Sequence, residues 1–140
     1  MNKQKICIIG DGLSGLTIAT LLSKENVNID LYTDKKKTSK KSDNRTTAIS
    51  ESNYQFIKNN LNLNNVNFFW PCKKINLFFE DEGKLINFLN FKEKNKNFMY
   101  IFQNKDLKKK LEKIILKKRN IKLIKKNIKN INSDETCVTI

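Results

Sequence analysis

Lys5-Ile6-Cys7-Ile8-Ile9-Gly10-Asp11-Gly12-Leu13-Ser14-Gly15-Leu16 is the stretch on which the fold turns. Its apolar run, short and bounded by glycine, predicts a fully buried strand over 5–9. Leu16 to Lys24 predicts a helix with Leu16, Ala19 and Thr20 on one face. Residues 28–33, Asn-Ile-Asp-Leu-Tyr-Thr, predict a second strand. Strand, glycine turn, helix and strand make a βαβ unit.

In that setting each glycine of the turn has its own task. Gly10 permits the tight exit from the strand, Gly12 lets backbone approach a pyrophosphate, and Gly15 lets the helix pack close. Leu13 and Ser14 open the helix, whose first N–H groups and partial positive charge favour phosphate. Ser14 either adds a hydroxyl to that site or caps the helix. An acid is expected at the end of the second strand to hold ribose hydroxyls. Thr33 stands there with Asp34 beside it, so both are candidate ribose contacts. The bland alternative is a glycine turn that binds nothing.

Outward from this unit, 34–44 reads as a polar loop, and Ser50 to Leu61 as a helix with a capping box at Ser52-Asn53-Tyr54-Gln55. Pro71, the only proline, closes the cluster Phe68-Phe69-Trp70. Residues 74–80 and 84–91 predict a hairpin around a three-residue loop, Asp81-Glu82-Gly83. Met99–Phe102 suits a short strand. Asp106–Lys118 suits an amphipathic helix, with Leu107, Leu111, Ile114 and Ile115 on its inner face. Lys108, Lys109, Lys110, Lys113 and Lys117 fall on the opposite, solvated face. Residues 121–124 suit a strand, and 127–131 with 136–140 a hairpin. The sequence stops inside a β pattern, which predicts a truncated chain.

The 140 residues carry 28 basic and 14 acidic side chains, a formal charge of +14, and no histidine. The lack of histidine excludes Ser-His-Asp or Cys-His catalysis within these residues, and any zinc site that needs imidazole. No metal ligand set is expected, and no side chain is assigned a catalytic role. Cys7, Cys72 and Cys137 are far apart and read as reduced structural thiols of a cytosolic protein. No apolar run approaches a membrane span, and no secretory signal is visible. The charge admits a nucleic-acid or anionic-membrane surface. Yet 26 Lys, 21 Asn and 17 Ile make up 64 of 140 residues, and all three amino acids have A/T-rich codons. The lysines then reflect composition, and no nucleic-acid partner is expected.

One segment separates flavin from nicotinamide proteins. Asp43-Asn44-Arg45-Thr46-Thr47-Ala48-Ile49 follows the second strand and opens a helix. It resembles the D-x-R-(T/A)-x-A-(L/I) segment of FAD-dependent aromatic-ring monooxygenases, and most closely the ubiquinone-biosynthesis hydroxylases among them. Tyr54-Gln55-Phe56-Ile57, Trp70-Pro71, Ile75-Asn76-Leu77 and Tyr100-Ile101-Phe102-Gln103-Asn104 follow in the order of that family. The family's later D-G and G-D motifs are absent, so the resemblance is to the front part of such an enzyme.

The resemblance implies an α/β fold: a Rossmann-like FAD-binding βαβ domain with inserted β-hairpin and sheet elements, truncated at its C-terminus. About 1–65 and 104–125 would bind nucleotide, and about 68–102 would begin the substrate-side sheet. Gly10, Gly12, Leu13, Ser14 and Gly15 would hold the FAD pyrophosphate, Arg45 would lie along flavin and pyrophosphate, and Gln103 would bond the ribose. The implied activity is aromatic hydroxylation with FAD, NAD(P)H and O2, on a polyprenylated phenol of ubiquinone biosynthesis. The implied setting is cytoplasmic, with peripheral contact at the inner membrane face and association with other quinone-biosynthesis proteins. Two other readings stay open: a different Rossmann-type FAD- or NAD(P)-dependent oxidoreductase, and a basic binding module.

Overall fold

In a computed structural model of the chain, the described residues are 3–34, 43–92, 96–126, 128, 130–133 and 138–139. The expected loop at 34–44 therefore lies largely outside them, as does Cys137. The chain divides into two compact units, Met1–Ser42 with Leu107–Ile140, and Asp43–Asp106. Residues 43–65, expected with the nucleotide-binding part, belong with 68–102 in the second unit.

The first unit holds β1 (Gln4–Ile9), α1 (Leu13–Leu22), β2 (Val27–Thr33) and, after the second unit, most of α3 and β8 (Ile121–Lys125). The three strands are parallel in the order β1-β2-β8, with Ile6 beside Ile29 and Ile29 beside Ile121. Read by connection this is strand order 3-2-1, as in one half of a doubly wound parallel sheet. Leu16, Ala19 and Thr20 of α1 are buried, as expected, with Ile29 and Leu31 of the central strand. Thr20 Oγ1 donates to the Leu16 carbonyl at 2.8 Å, which satisfies its hydroxyl inside the core.

β1 corrects the expectation of a fully buried strand. It lies at the sheet edge, and its residues are exposed or half-buried, with Ile9 at 55%. Only alternate residues face α1, so Lys5, Cys7 and Ile9 project from the other face. Lys5 Nζ there pairs with Asp30 Oδ2 at 2.8 Å.

The second unit corrects several more readings. Thr46–Ser50 does not open a helix: it is strand β3, and the helix α2 runs over Glu51–Asn60. β3, β7 (Met99–Gln103) and β4 (Trp70–Cys72) form an antiparallel sheet in the order β3-β7-β4. β-branched Thr46, Thr47 and Ile49 suit this pairing. Pro71 lies within β4, an edge strand, where its missing N–H costs no ladder bond. The cap of α2 is Ser50, whose Oγ accepts from Asn53 N at 3.3 Å, so the capping box at Ser52 does not form. Gln55 instead donates to Glu51 at 2.7 Å. Leu61, Leu63, Phe69 and Phe102 are buried. Tyr54 stacks on Tyr100 with ring centroids 3.6 Å apart, and Phe69 meets both Tyr54 and Phe102 edge-on.

β5 (Lys74–Asp81) and β6 (Lys84–Lys92) form the expected hairpin, but around two residues. Asp81 pairs with Lys84, while Glu82 and Gly83 both take positive φ, 45° and 75°. Two successive positive φ values are what a tight hairpin turn matched to strand twist requires. A bulge between Leu77 and Phe78 shifts the register. α3 (Asn104–Ile115) starts two residues before, and ends three before, its expected limits. Leu107, Leu111 and Ile115 are its buried residues. The terminal pairing is between β9 (Asn132–Ser133) and β10 (Val138–Thr139). It starts later than the expected segment 127–131, in which residues 127 and 129 lie outside the description.

Candidate functional site: the glycine turn and its surroundings

Gly10 leaves β1 with φ of +104°, a conformation that disfavours any side chain, and its N–H donates to the Tyr32 carbonyl at 2.9 Å. That bond ties the turn to the end of β2. A Cβ on Gly15 would run into the carbonyl oxygen of Gly10 and lie 3.6 Å from Ile8 Cγ2. Gly15 is therefore glycine because α1 crosses the strand exit at backbone contact. Gly12 differs: a Cβ there would meet nothing within 4 Å, and its backbone angles, −70° and 175°, suit any residue. Among the described residues, no atom occupies the space before it.

Gly12 is also the N-cap of α1, with no side-chain cap and no acid in the first turn. The first intrahelical bond is Leu16 N to Gly12 O at 3.0 Å. The N–H groups of Leu13, Ser14 and Gly15 thus have no helical partner, an arrangement that suits an anion. Ser14 does not cap the helix: it is the second helical residue, exposed, which leaves its hydroxyl as a further donor.

At the carboxyl ends of the strands, Ile9, Gly10, Tyr32, Thr33, Asp34, Lys126 and Ile128 line an open cavity of about 350 Å³. Ligands of open parallel sheets bind at this end. Thr33 is half-buried with its carbonyl taking Lys126 N at 3.2 Å, and Asp34 is exposed. Both candidates for the ribose contact thus line one cavity with Gly10.

Lys108, expected on a solvated face, is 29% exposed in its side chain, and its Nζ lies 3.2 Å from Asp11 Oδ2 and 3.8 Å from Glu112 Oε1. Asp11, between Gly10 and Gly12, is 18% exposed. Five lysines on one helix gave no means of telling which meets an acid 97 residues away.

The other two candidates, Arg45 and Gln103, lie in the second unit, where Gln103 pairs with Thr46 across β7 and β3. Arg45 is held by Asp43 through Nε to Oδ1 at 2.8 Å, Nη2 to Oδ2 at 2.9 Å, and backbone N to Oδ1 at 3.1 Å. Asn104, to which the sequence assigns no role of its own, organises this loop. Its N–H donates to the Arg45 carbonyl at 3.0 Å, and its Oδ1 accepts from Thr47 Oγ1 at 2.6 Å. Hydrogen bonds from the Arg45 side chain and backbone, with a further one from Asn104, hold the Asp43 carboxyl well below the usual carboxylate range.

The Arg45 side chain is 80% exposed, so this ion pair adds little stability; its effect is to fix the guanidinium. Three of the five guanidinium N–H donors stay outside the pair. A carboxyl held low keeps its partner above the usual carboxylate range and loses it only as pH falls through the depressed value. With only two arginines, protein labelled with [15N]arginine gives two Nε–H signals. The Arg45 signal is expected to stay in place from neutral pH to about 4. Asp43→Asn is expected to shift it and speed its exchange, leaving Arg119 unmoved.

Among the described residues, Cys7 and Cys72 are free thiols, and no cluster of three or more acids, cysteines or histidines is placed to hold a metal. Among the same residues, no helix is long and apolar enough to cross a membrane.

In sequence, the chain matches no family model and no curated protein. In structure it is similar to several flavoproteins. Against PqsL of Pseudomonas aeruginosa, a probable FAD-dependent monooxygenase, the TM-score is 0.70 at 14% identity, over 96% of this chain and 36% of that one. Against p-nitrophenol 4-monooxygenase PnpA of Pseudomonas putida it is 0.69 at 15%, over 96% and 36%. Against 2,6-dihydroxypyridine-3-hydroxylase of Arthrobacter nicotinovorans it is 0.67 at 14%, over 98% and 32%. The chain therefore has the α/β fold of about a third of these proteins and spans about a third of their length.

Proposed function

We propose that this chain is the dinucleotide-binding part of an FAD-dependent monooxygenase. The observation that carries the reading is the division of labour in the glycine turn. Gly15 is required by the protein itself, whereas neither packing nor backbone angle calls for glycine at Gly12. A turn built only for folding needs the first feature and not the second. Gly10, Gly12, Leu13, Ser14 and Gly15 would take the pyrophosphate through backbone donors, the helix terminus and the Ser14 hydroxyl. Thr33 and Asp34 would meet the ribose hydroxyls of the adenosine half in the cavity they line. Arg45 and Gln103 would add contacts to the same cofactor, Arg45 through N–H donors outside its pair with Asp43.

Bound FAD supplies the redox chemistry, taking electrons from NAD(P)H and activating O2 for transfer of one oxygen to an aromatic ring. The residues described here bind and orient; no acid, base or nucleophile is assigned among them. The Asp43–Ala48 segment supports a finer reading, hydroxylation of a polyprenylated phenol in ubiquinone biosynthesis. We place that activity in the cytoplasm, at the inner membrane face, beside other quinone-biosynthesis proteins. The basic surface is compatible with anionic lipid.

Purified protein is expected to release FAD on denaturation, identified by chromatography and fluorescence. Release of a nicotinamide nucleotide without flavin would favour a different Rossmann oxidoreductase. Protein with no nucleotide and no affinity for FAD would contradict the proposal.

A further inference from the structure

An acid in a phosphate-binding turn is an electrostatic liability. Asp11 stands between the two glycines that would face the pyrophosphate, and a carboxylate there repels an anion bearing about two negative charges. It is also largely withdrawn from solvent, at 18% exposure, so water screens it poorly. The answering charge comes from 97 residues away: Lys108 Nζ, 3.2 Å from Asp11 Oδ2, in the second turn of α3. The Lys108 side chain is itself 29% exposed, while Lys109 and Lys113 of the same helix lie in solvent. Its stem flanks the buried stripe Leu107, Leu111 and Ile115, which fixes where the ammonium can reach.

We propose that Lys108 is the counter-charge of the glycine turn, cancelling Asp11 so that the turn accepts a pyrophosphate. This rests on the reading of the turn as a nucleotide site. Lys108 offsets the Asp11 charge, and the helix terminus and backbone donors then act on the phosphates. Loss of Lys108 removes the ammonium 3.2 Å from that carboxylate and makes the site more negative by one charge. Loss of Asp11 leaves an extra cation, part of which Glu112, 3.8 Å from Lys108 Nζ, absorbs. Affinity for a pyrophosphate should therefore follow the summed charge of positions 11 and 108, not the presence of lysine as such.

The test is titration of the full chain with ADP, which carries the pyrophosphate without the flavin, by calorimetry at low salt. Lys108→Ala is expected to weaken ADP about tenfold, the scale of one partly screened charge pair. Asp11→Asn is expected to bind as tightly as the parent or more tightly. The double variant Asp11→Asn/Lys108→Ala is expected to return to within about threefold of the parent. Lys108→Met, which keeps the apolar stem, repeats the measurement if the alanine variant melts early. A double variant as weak as Lys108→Ala would show that lysine touches phosphate directly and overturn the counter-charge role. Unchanged affinity in Lys108→Ala and Lys108→Met overturns it as well. A parent chain that binds no ADP overturns the nucleotide site itself, a failure distinct from a wrong order among variants that bind.

Discussion

Replacement of Gly12 by valine is expected to abolish FAD retention while leaving the chain folded. The two halves of that expectation have separate causes. The backbone at Gly12 is extended, φ −70° and ψ 175°, so valine can occupy it without strain, and a Cβ there meets no atom within 4 Å. The branched side chain would then fill the space in front of the α1 N-terminus, where the phosphates must reach the free N–H groups. A loss of contact with both phosphates is expected to raise the dissociation constant for FAD or ADP by more than about 100-fold. The melting temperature is expected to move by less than about 3 °C. Titration and thermal melting of the same sample check both. Unchanged nucleotide affinity in a folded Gly12→Val would remove Gly12 from the site.

Gly15→Ala is expected to do the reverse, acting on the fold first. The added methyl would strike the carbonyl oxygen of Gly10, a backbone atom that cannot rotate away. Gly10 is itself pinned by its positive φ and by its bond to the Tyr32 carbonyl, so α1 must move off the strand to relieve the clash. Such movement disturbs Leu16 and Ala19, both buried at 2% or less. Overpacking of this kind costs about 3 kcal/mol, equivalent to a fall of roughly 10 °C in melting temperature for a domain of this size. Denaturant unfolding of Gly15→Ala beside the parent measures it. A variant of equal stability would mean that the helix does not approach the strand as closely as the structure has it.

The contrast between these two glycines shows what the sequence could carry. The βαβ unit is legible because its signals are local: an apolar run, a glycine spacing and a helical face within thirty residues. Leu16, Ala19 and Thr20 fell on the buried face for the same reason. Strand β3 was not legible. Thr46 to Ser50 becomes a strand only because Met99–Gln103 arrives beside it, and nothing in five residues announces a partner some fifty positions away. That pairing in turn sets the cap of α2, since the strand ends at Ser50 and the chain turns there rather than at Ser52.

Edge position explains the exposure of β1, and it too is a property of the sheet rather than of the strand. The site shows the same limit. The glycines, Thr33, Asp34 and Arg45 stand out by type and spacing. Lys108 and Asn104 do not, because one is a lysine among 26 and the other an asparagine among 21. Their roles arise only when α3 brings Lys108 to Asp11, and when the start of that helix lies against Arg45 and Thr47.

The central claim is that the glycine turn binds the pyrophosphate of a dinucleotide, and the chain is well made for testing it. It has four glycines, three in the turn and one, Gly83, at the tip of the β5–β6 hairpin. Protein labelled with [15N]glycine therefore gives four backbone N–H signals. On titration with FAD, the signals of Gly10, Gly12 and Gly15 are expected to move together and saturate at one dissociation constant, while Gly83 stays in place as an internal control. FAD binding that leaves the three turn signals unmoved, or no binding at all, would contradict the account.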